Sequence, residues 1–264
     1  MTIRWLHPAW LSWPMSAESI NLSPMRMHER AYILLQHAQA LVEQETPSRE
    51  IRADALVNLR RALDLRVQGL VDQFNLKEVP IQKKPKGSLE LLEFFGLVRP
   101  MMTKNLVEMR NAVEHQDEEP PTAERLQELC EFLWYFLRST EVRIRPSSSL
   151  SFDSQYIEDE PREDNTVPPY RIIIDVKHNS PIPWEASIQG YIAAFALSKE
   201  SKKDYMTIDV SSIETRKERE ANENRLWWER DVQVAGDDDL YIIGKLRGGA
   251  THIKTLVQRY ILHT

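Results

Sequence analysis

A short segment, Arg110-Asn111-Ala112-Val113-Glu114-His115, contains residue types that can cut RNA without a metal ion. Such cleavage needs a base to take the proton of a ribose 2′-hydroxyl and an acid to protonate the leaving oxygen. Histidine titrates close enough to neutral pH to do either. An arginine can stabilise the charge that the pentacoordinate phosphate gains. The segment therefore suggests that His115 is the acid or base, that Arg110 stabilises the phosphate, and that Asn111 orients the histidine or holds a phosphate oxygen.

The spacing between the arginine and the histidine does not by itself single out this segment. Three other arginines precede a histidine at a similar distance: Arg30 before His37, Arg171 before His178, and Arg247 before His252. With seven histidines in the chain, such matches are expected by chance. Of these arginines, Arg110 alone is followed by an asparagine and alone lies on a late helix of the predicted bundle.

Helix geometry predicts which way these side chains point. The pattern predicts a helix from about Met101 to Gln116, and at 100° per residue its apolar side chains share one face. These apolar residues are Met102, Leu106, Met109 and Val113. Glu108, Asn111 and His115 fall on the opposite face, with Arg110 at its flank. The alternative is an ordinary solvated face on which Arg110 pairs with Glu114 at the i,i+4 spacing.

The first half of the chain has the hydrophobic spacing of helices. Apolar residues recur every three or four positions from Pro24 to Arg138, and turn signals at Pro47-Ser48, Lys77–Gly87 and Pro120-Pro121 divide them. Short connections between such helices are typical of an up-and-down bundle. Four aromatic residues make the last helix apolar nearly all round, which predicts core packing or a dimer contact. They are Phe132, Trp134, Tyr135 and Phe136.

The pattern changes after this helical region. Residues 146–169 combine serines, prolines and acids and predict a linker. The runs Arg171–Lys177, Tyr205–Val210 and Leu240–Leu246 are β-prone, and Thr251–Leu262 predicts a closing helix. The predicted fold class is thus α+β and multidomain. It has an N-terminal all-α up-and-down bundle over 1–145, an acidic Pro/Ser-rich linker over 146–169, and a smaller β-rich mixed domain over 170–264.

Over roughly residues 25–140 the chain resembles the HEPN family. The resemblance comprises the helical bundle, the Arg110-Asn111…His115 motif on a late helix, a break, and a final apolar helix. It implies that two protomers bring their motif-bearing faces together into a composite RNA-cutting site. It also implies products with 2′,3′-cyclic phosphate and 5′-hydroxyl ends. Glu108 and Glu114 are the residues expected to contact the substrate.

The leading hypothesis is therefore a metal-independent endoribonuclease of toxin or antiviral-defence type, acting on RNA as a homodimer. No cofactor and no metal site are expected. The alternative is a non-catalytic dimerising adaptor or RNA-binding module, in which residues 170–264 bind a protein partner. Alanine substitution of His115 and Arg110 distinguishes the two.

Composition bears on the possible partners of the protein and on its location in the cell. The net charge is −6, and residues 151–164 alone hold six acids against one arginine, so charge neither supports nor excludes an RNA partner. Cys130 is the single cysteine, so no intrachain disulfide can form. No apolar run approaches the roughly eighteen residues needed to cross a bilayer. The start of the chain also lacks the pattern of a secretory signal. These features predict a cytoplasmic protein with no membrane partner.

Overall fold

The chain divides into two compact units. A sheet unit comprises Met1–Ile20, Glu78–Gln82 and Ser147–Thr264, and a helical unit comprises Asn21–Lys77 and Lys83–Pro146. The computed structural model describes residues 2–19, 26–99, 101, 104, 108, 111, 119–141, 147–154, 170–177, 184–222, 225, 226, 229 and 238–262.

The sheet unit is built on eight antiparallel strands among the described residues. They are β1 (Thr2–Leu6), β2 (Met15–Ser19), β3 (Ser147–Asp153), β4 (Arg171–Lys177), β5 (Glu185–Ile192), β6 (Leu197–Ser198), β7 (Met206–Thr215) and β8 (Leu240–Arg247). Their order across the sheet is β2-β3-β4-β5-β8-β7-β1-β6. The β-prone runs predicted over β4, β7 and β8 are confirmed.

One face of the sheet is apolar and buried. In β4, Ile172, Ile174 and Val176 are buried and alternate with partly exposed residues, and Ile174 lies opposite Ile188 of β5. Helix α5 (Arg216–Glu220) follows β7. Helix α6 (Ala250–Leu262) contributes a buried side to the unit: Leu256, Val257, Tyr260 and Ile261. The other face is mixed: Tyr191 and Tyr241 are buried on it, with Ile173 and Ile243 packed against them. On it Arg171 pairs with Asp153 at 2.5 Å.

Two backbone features affect how neighbouring strands pair. Gly190 has a φ of +147°, and a β-carbon there would collide with the carbonyl oxygen of Arg171, so glycine allows the close approach of β4 and β5. In β7 the register with β8 shifts between Val210 and Ser212. This bulge places Glu214 opposite Tyr241, and the Glu214 carboxylate lies 3.5 Å from the guanidinium of Arg219.

The helical unit contains α1 (Arg26–Val42), α2 (Arg49–Gln73), α3 (Ser88–Phe94) and α4 (Ala123–Glu141). Ser48 caps α2 by accepting a hydrogen bond from the Ile51 amide at 3.4 Å, as its position before the apolar stripe predicts. Buried residues lie along one side of α2, including Ala55, Leu59, Leu63 and Leu70. The long second helix and the last helix of this region, predicted from periodicity, are confirmed as α2 and α4.

The predicted N-terminal all-α bundle over residues 1–145 is wrong. The chain enters the sheet at once, since β1 pairs with β7 and β2 pairs with β3. The helical unit follows as an insertion between β2 and β3, and the whole fold is mixed, with one large antiparallel sheet. Each of these first two strands has only five residues, too few for a clear alternation. Their partners are also distant in sequence.

Part of the predicted linker also lies in the sheet. Ser147–Asp153 form β3, with Leu150 and Phe152 buried on its inner side. The serines and the nearby prolines and acids concealed this alternation. Residues 155–169 lie outside the described part of the chain. Among the described helices, none combines the length and apolarity that a bilayer crossing requires.

Cys130 is buried in the helical unit, on the inner side of α4. Burial, together with the charges of Glu43 and Glu131, raises the pKa of its thiol to about 11. At pH 8 only about one thiol in a thousand is then ionised, against about one in four for a free cysteine.

We therefore expect iodoacetamide to alkylate Cys130 in the native protein at least about 100-fold more slowly than in urea-unfolded protein, because the thiolate is the reacting form. Mass spectrometry over a time course measures both rates. A native rate within tenfold of the unfolded rate would contradict the buried position of this side of α4.

Candidate functional site

The helix predicted to carry the motif is described at four positions. Met101, Lys104, Glu108 and Asn111 are all helical and all exposed. Their steps of three, four and three residues place them along one stripe of the helix. Glu108 and Asn111 thus face solvent, as the helical wheel predicts. Arg110, Glu114 and His115 lie outside the described residues.

The described side chains of this stripe remain accessible to a ligand. Lys104 and Glu108 approach to 4.0 Å, with 77% and 52% of their side chains exposed. An exposed pair at this distance contributes at most about 1 kcal/mol, so either side chain can be drawn to another partner at little cost. Asn111 offers an amide that both donates and accepts hydrogen bonds. Lys104, Glu108 and Asn111 thus present exposed polar groups beside the exposed side chain of Met101.

A second feature of the helical unit is a groove of about 710 Å³, which we call the basic groove. Its charged lining residues are Arg30 of α1, Arg61 and Asp64 of α2, and Lys86 before α3. Asp64 also faces Arg60, at 3.5 Å. Among the described residues, no carboxylate pairs with any of the three cations of the lining. The basic groove is therefore positively charged.

The sheet unit contains a buried polar cluster around Glu229. The side chain of Glu229 is fully buried, and Arg219 donates to both of its oxygens at 2.8 and 2.9 Å. The Leu226 amide donates at 2.9 Å and the Tyr191 hydroxyl at 3.3 Å. The guanidinium of Arg219 also lies 4.1 Å from the ring centre of Tyr241. Both carboxylate oxygens are thus occupied from within the protein.

These contacts determine how the cluster titrates. Burial alone would raise the pKa of Glu229, but the hydrogen bonds from Arg219 and the Leu226 amide, with the charge of Arg219, lower it. Burial and the nearby carboxylate raise the pKa of Tyr191 to about 12. Near pH 7, Arg219 and Glu229 are therefore both ionised, and Tyr191 and Tyr241 are neutral. Because the side chain of Glu229 is fully buried, we interpret the cluster as an interaction that stabilises the fold, and not as a reaction centre.

Comparisons with protein-family models, with curated proteins and with solved structures find no match to this chain. A function for it must be argued from its own side chains. Within the described residues, no three His, Cys, Asp or Glu side chains lie together as a metal-binding group.

Neither the basic groove nor the buried cluster is recognisable in the sequence. The groove cations come from three separate segments, and only the four lysines of Lys77–Gly87 gave a local hint of positive charge. The cluster joins Arg219 and Glu229 across ten residues and adds tyrosines from β5 and β8. Neither arrangement has a motif, because folding alone brings its members together.

Proposed function

We propose that the helical unit carries a metal-independent RNA-cutting centre of the kind found in the HEPN family, built from Arg110, Asn111 and His115 and shared between two copies of the chain. His115 is the acid or base, Arg110 stabilises the phosphate, and Asn111 orients the histidine or holds a phosphate oxygen. Glu108 and Glu114 contact the substrate. The protein then belongs to the endoribonucleases that serve as toxins or in antiviral defence.

The observation that carries this proposal is the exposure of Asn111 and Glu108 on one stripe of their helix. A group buried in its own unit cannot contact a phosphate, whereas this stripe faces outward. Asn111 directly follows Arg110 in sequence. On the helix predicted to run to Gln116, the next position of the stripe after Asn111 is His115.

A second observation supports the dimer. Two neighbouring aromatic residues of α4, Trp134 and Tyr135, are 40% and 64% exposed. Their rings meet edge to face at 5.0 Å, and the guanidinium of Arg138 lies 5.8 Å from the Trp134 ring centre. Exposed aromatic residues next to an arginine are enriched in protein interfaces. We infer that a second copy covers this part of α4.

The test incubates the purified full-length protein with an end-labelled single-stranded RNA in the presence of EDTA. We expect cleavage that leaves 2′,3′-cyclic phosphate and 5′-hydroxyl ends, and no cleavage where the 2′-hydroxyl is methylated. Products with 5′-phosphate ends, or strict dependence on a divalent cation, would contradict the mechanism. Sedimentation of the same sample determines whether the protein is a dimer.

The basic groove favours a second candidate, an RNA-binding module that does not cut. In that case the helical unit holds RNA or dimerises, and the C-terminal residues 170–264 bind a protein partner. RNA binding without any cleavage, and with no effect of substituting His115, would favour this candidate.

A further inference from the structure

The cations of the basic groove lack partners that neighbouring surface arginines have. Arg49 pairs with Glu119 at 3.4 Å and Arg125 pairs with Glu128 at 2.5 Å, which is the usual arrangement on this unit. Among the described residues, the side chains of Arg30, Arg61 and Lys86 make no ion pair and no hydrogen bond. Three uncompensated cations around one depression repel each other, and an anion placed between them relieves that repulsion.

The walls of the basic groove suit a ligand that is only partly charged. Leu63, Val67 and Leu89 contribute nearly buried apolar side chains, while Gln68 and Ser88 add polar ones. A volume of about 710 Å³ lies within the range of roughly 300–1,000 Å³ usual for ligand clefts. A sugar or a base can rest on the apolar walls while its phosphates contact the cations at the rim.

Acidic groups near the basic groove do not cancel its charge. Asp64 is the single carboxylate of its lining and is turned toward Arg60. Glu90 lies beside Gly87, close enough that a β-carbon at this glycine would collide with its carboxylate. Even with Asp64 and Glu90 both counted, three cations stand against two acids at the groove. The cations come from three different segments, so an anion that contacts all of them bridges α1, α2 and the segment before α3.

We propose that the basic groove binds the phosphate backbone of a single-stranded RNA. The proposal rests on the proposed function for the nature of the strand. The groove holds the RNA through charge and shape and reads little of its sequence, since its cations contact phosphates rather than bases. The same contacts give binding that weakens steeply with salt.

The test measures binding of a fluorescent 2′-O-methyl RNA to the full-length protein at several salt concentrations. This RNA lacks the 2′-hydroxyl, so binding is measured whether or not the protein cleaves. The double substitution Arg30→Gln/Arg61→Gln removes two cations of the groove. The matched control, Arg49→Gln/Arg125→Gln, removes two exposed cations outside it, with the same change in net charge.

We expect the groove substitutions to lower the slope of log Kd against log salt by about 1.4, at about 0.7 per contact with a single strand. Affinity at low salt should fall at least about tenfold, and the control should change it less than about threefold. Equal slopes for the two variants would overturn the proposal. The proposal would also be overturned if a mononucleotide or inorganic phosphate displaced the RNA when present at a concentration near the Kd of the RNA. The groove would then be a site for a small ligand. Failure of the wild-type protein to cut RNA, with the groove effect intact, would count against the nuclease alone.

Discussion

Replacing His115 by alanine should lower the rate of RNA cleavage by about 10²- to 10⁴-fold, because the reaction loses its proton-transferring group. Replacing Arg110 by alanine should cost about 10²- to 10³-fold, since the developing phosphate charge loses a donor. Single-turnover cleavage of an end-labelled RNA, with saturating protein, measures the chemical step for each variant. RNA binding should change far less than this rate.

Arg125→Ala is the matched control for these two substitutions. Arg125 is an exposed cation of α4 that has no role in the proposed site, and its surface pair with Glu128 is weakly stabilising. We expect its rate to stay within about threefold of the wild-type rate. Sedimentation and circular dichroism establish that every variant keeps its fold and its oligomeric state. A protein with His115→Ala that retains more than a tenth of the wild-type rate would exclude His115 as the acid or base.

Replacing Glu229 by alanine should lower the free energy of unfolding of the sheet unit by about 3–5 kcal/mol, the usual cost of leaving one member of a buried ion pair unpaired. Arg219 would keep its charge in a site where its main acceptor is gone. Replacing both residues, as Arg219→Met/Glu229→Leu, should be far less harmful, since no charge then stays buried. Urea unfolding gives the change in free energy, and hydrogen exchange of β5 and β8 assigns it to the sheet unit.

Lys245→Ala is the control for this substitution, because the pair of Lys245 with Glu185 is partly exposed on the same sheet. It should cost less than about 1 kcal/mol.

The sign of the pH dependence follows from the lowered pKa of Glu229. Its stabilisation is present above the pKa of an unfolded glutamate, about 4.3, and is lost as the pH falls through the lower folded value. Glu229→Gln should weaken the pH dependence of the free energy of unfolding in this acid range. An unchanged pH dependence there would contradict the role of the Arg219–Glu229 pair.

Elements determined by local pattern could be predicted from the sequence. Helix α2 has a long apolar stripe, and β4 is a compact run of isoleucines, so both are recognisable without knowledge of their partners. Strands β1 and β2 could not be predicted in this way. Each is short, and what makes it a strand is a partner far along the chain, β7 for the first and β3 for the second.

The same distinction applies to the candidate sites. The outward direction of Glu108 and Asn111 follows from helical periodicity alone, which is a local property. The basic groove depends on how α1, α2 and the segment before α3 meet, and no spacing in the sequence encodes that. The Arg219–Glu229 pair gains its strength from burial, which depends on the finished sheet.

The insertion of the helical unit between β2 and β3 has a consequence for synthesis on the ribosome. All of the helical unit is translated before β3, whereas β1 must wait for Met206–Thr215, about 200 residues later. At 5–20 residues per second this delay is roughly 10–40 s. During that time the backbone amides and carbonyls of β1 lack their final partners, whereas those of β2 wait only until β3 (Ser147–Asp153) is translated. Because each strand has only five residues, it exposes few unpaired backbone groups with which another nascent chain could pair.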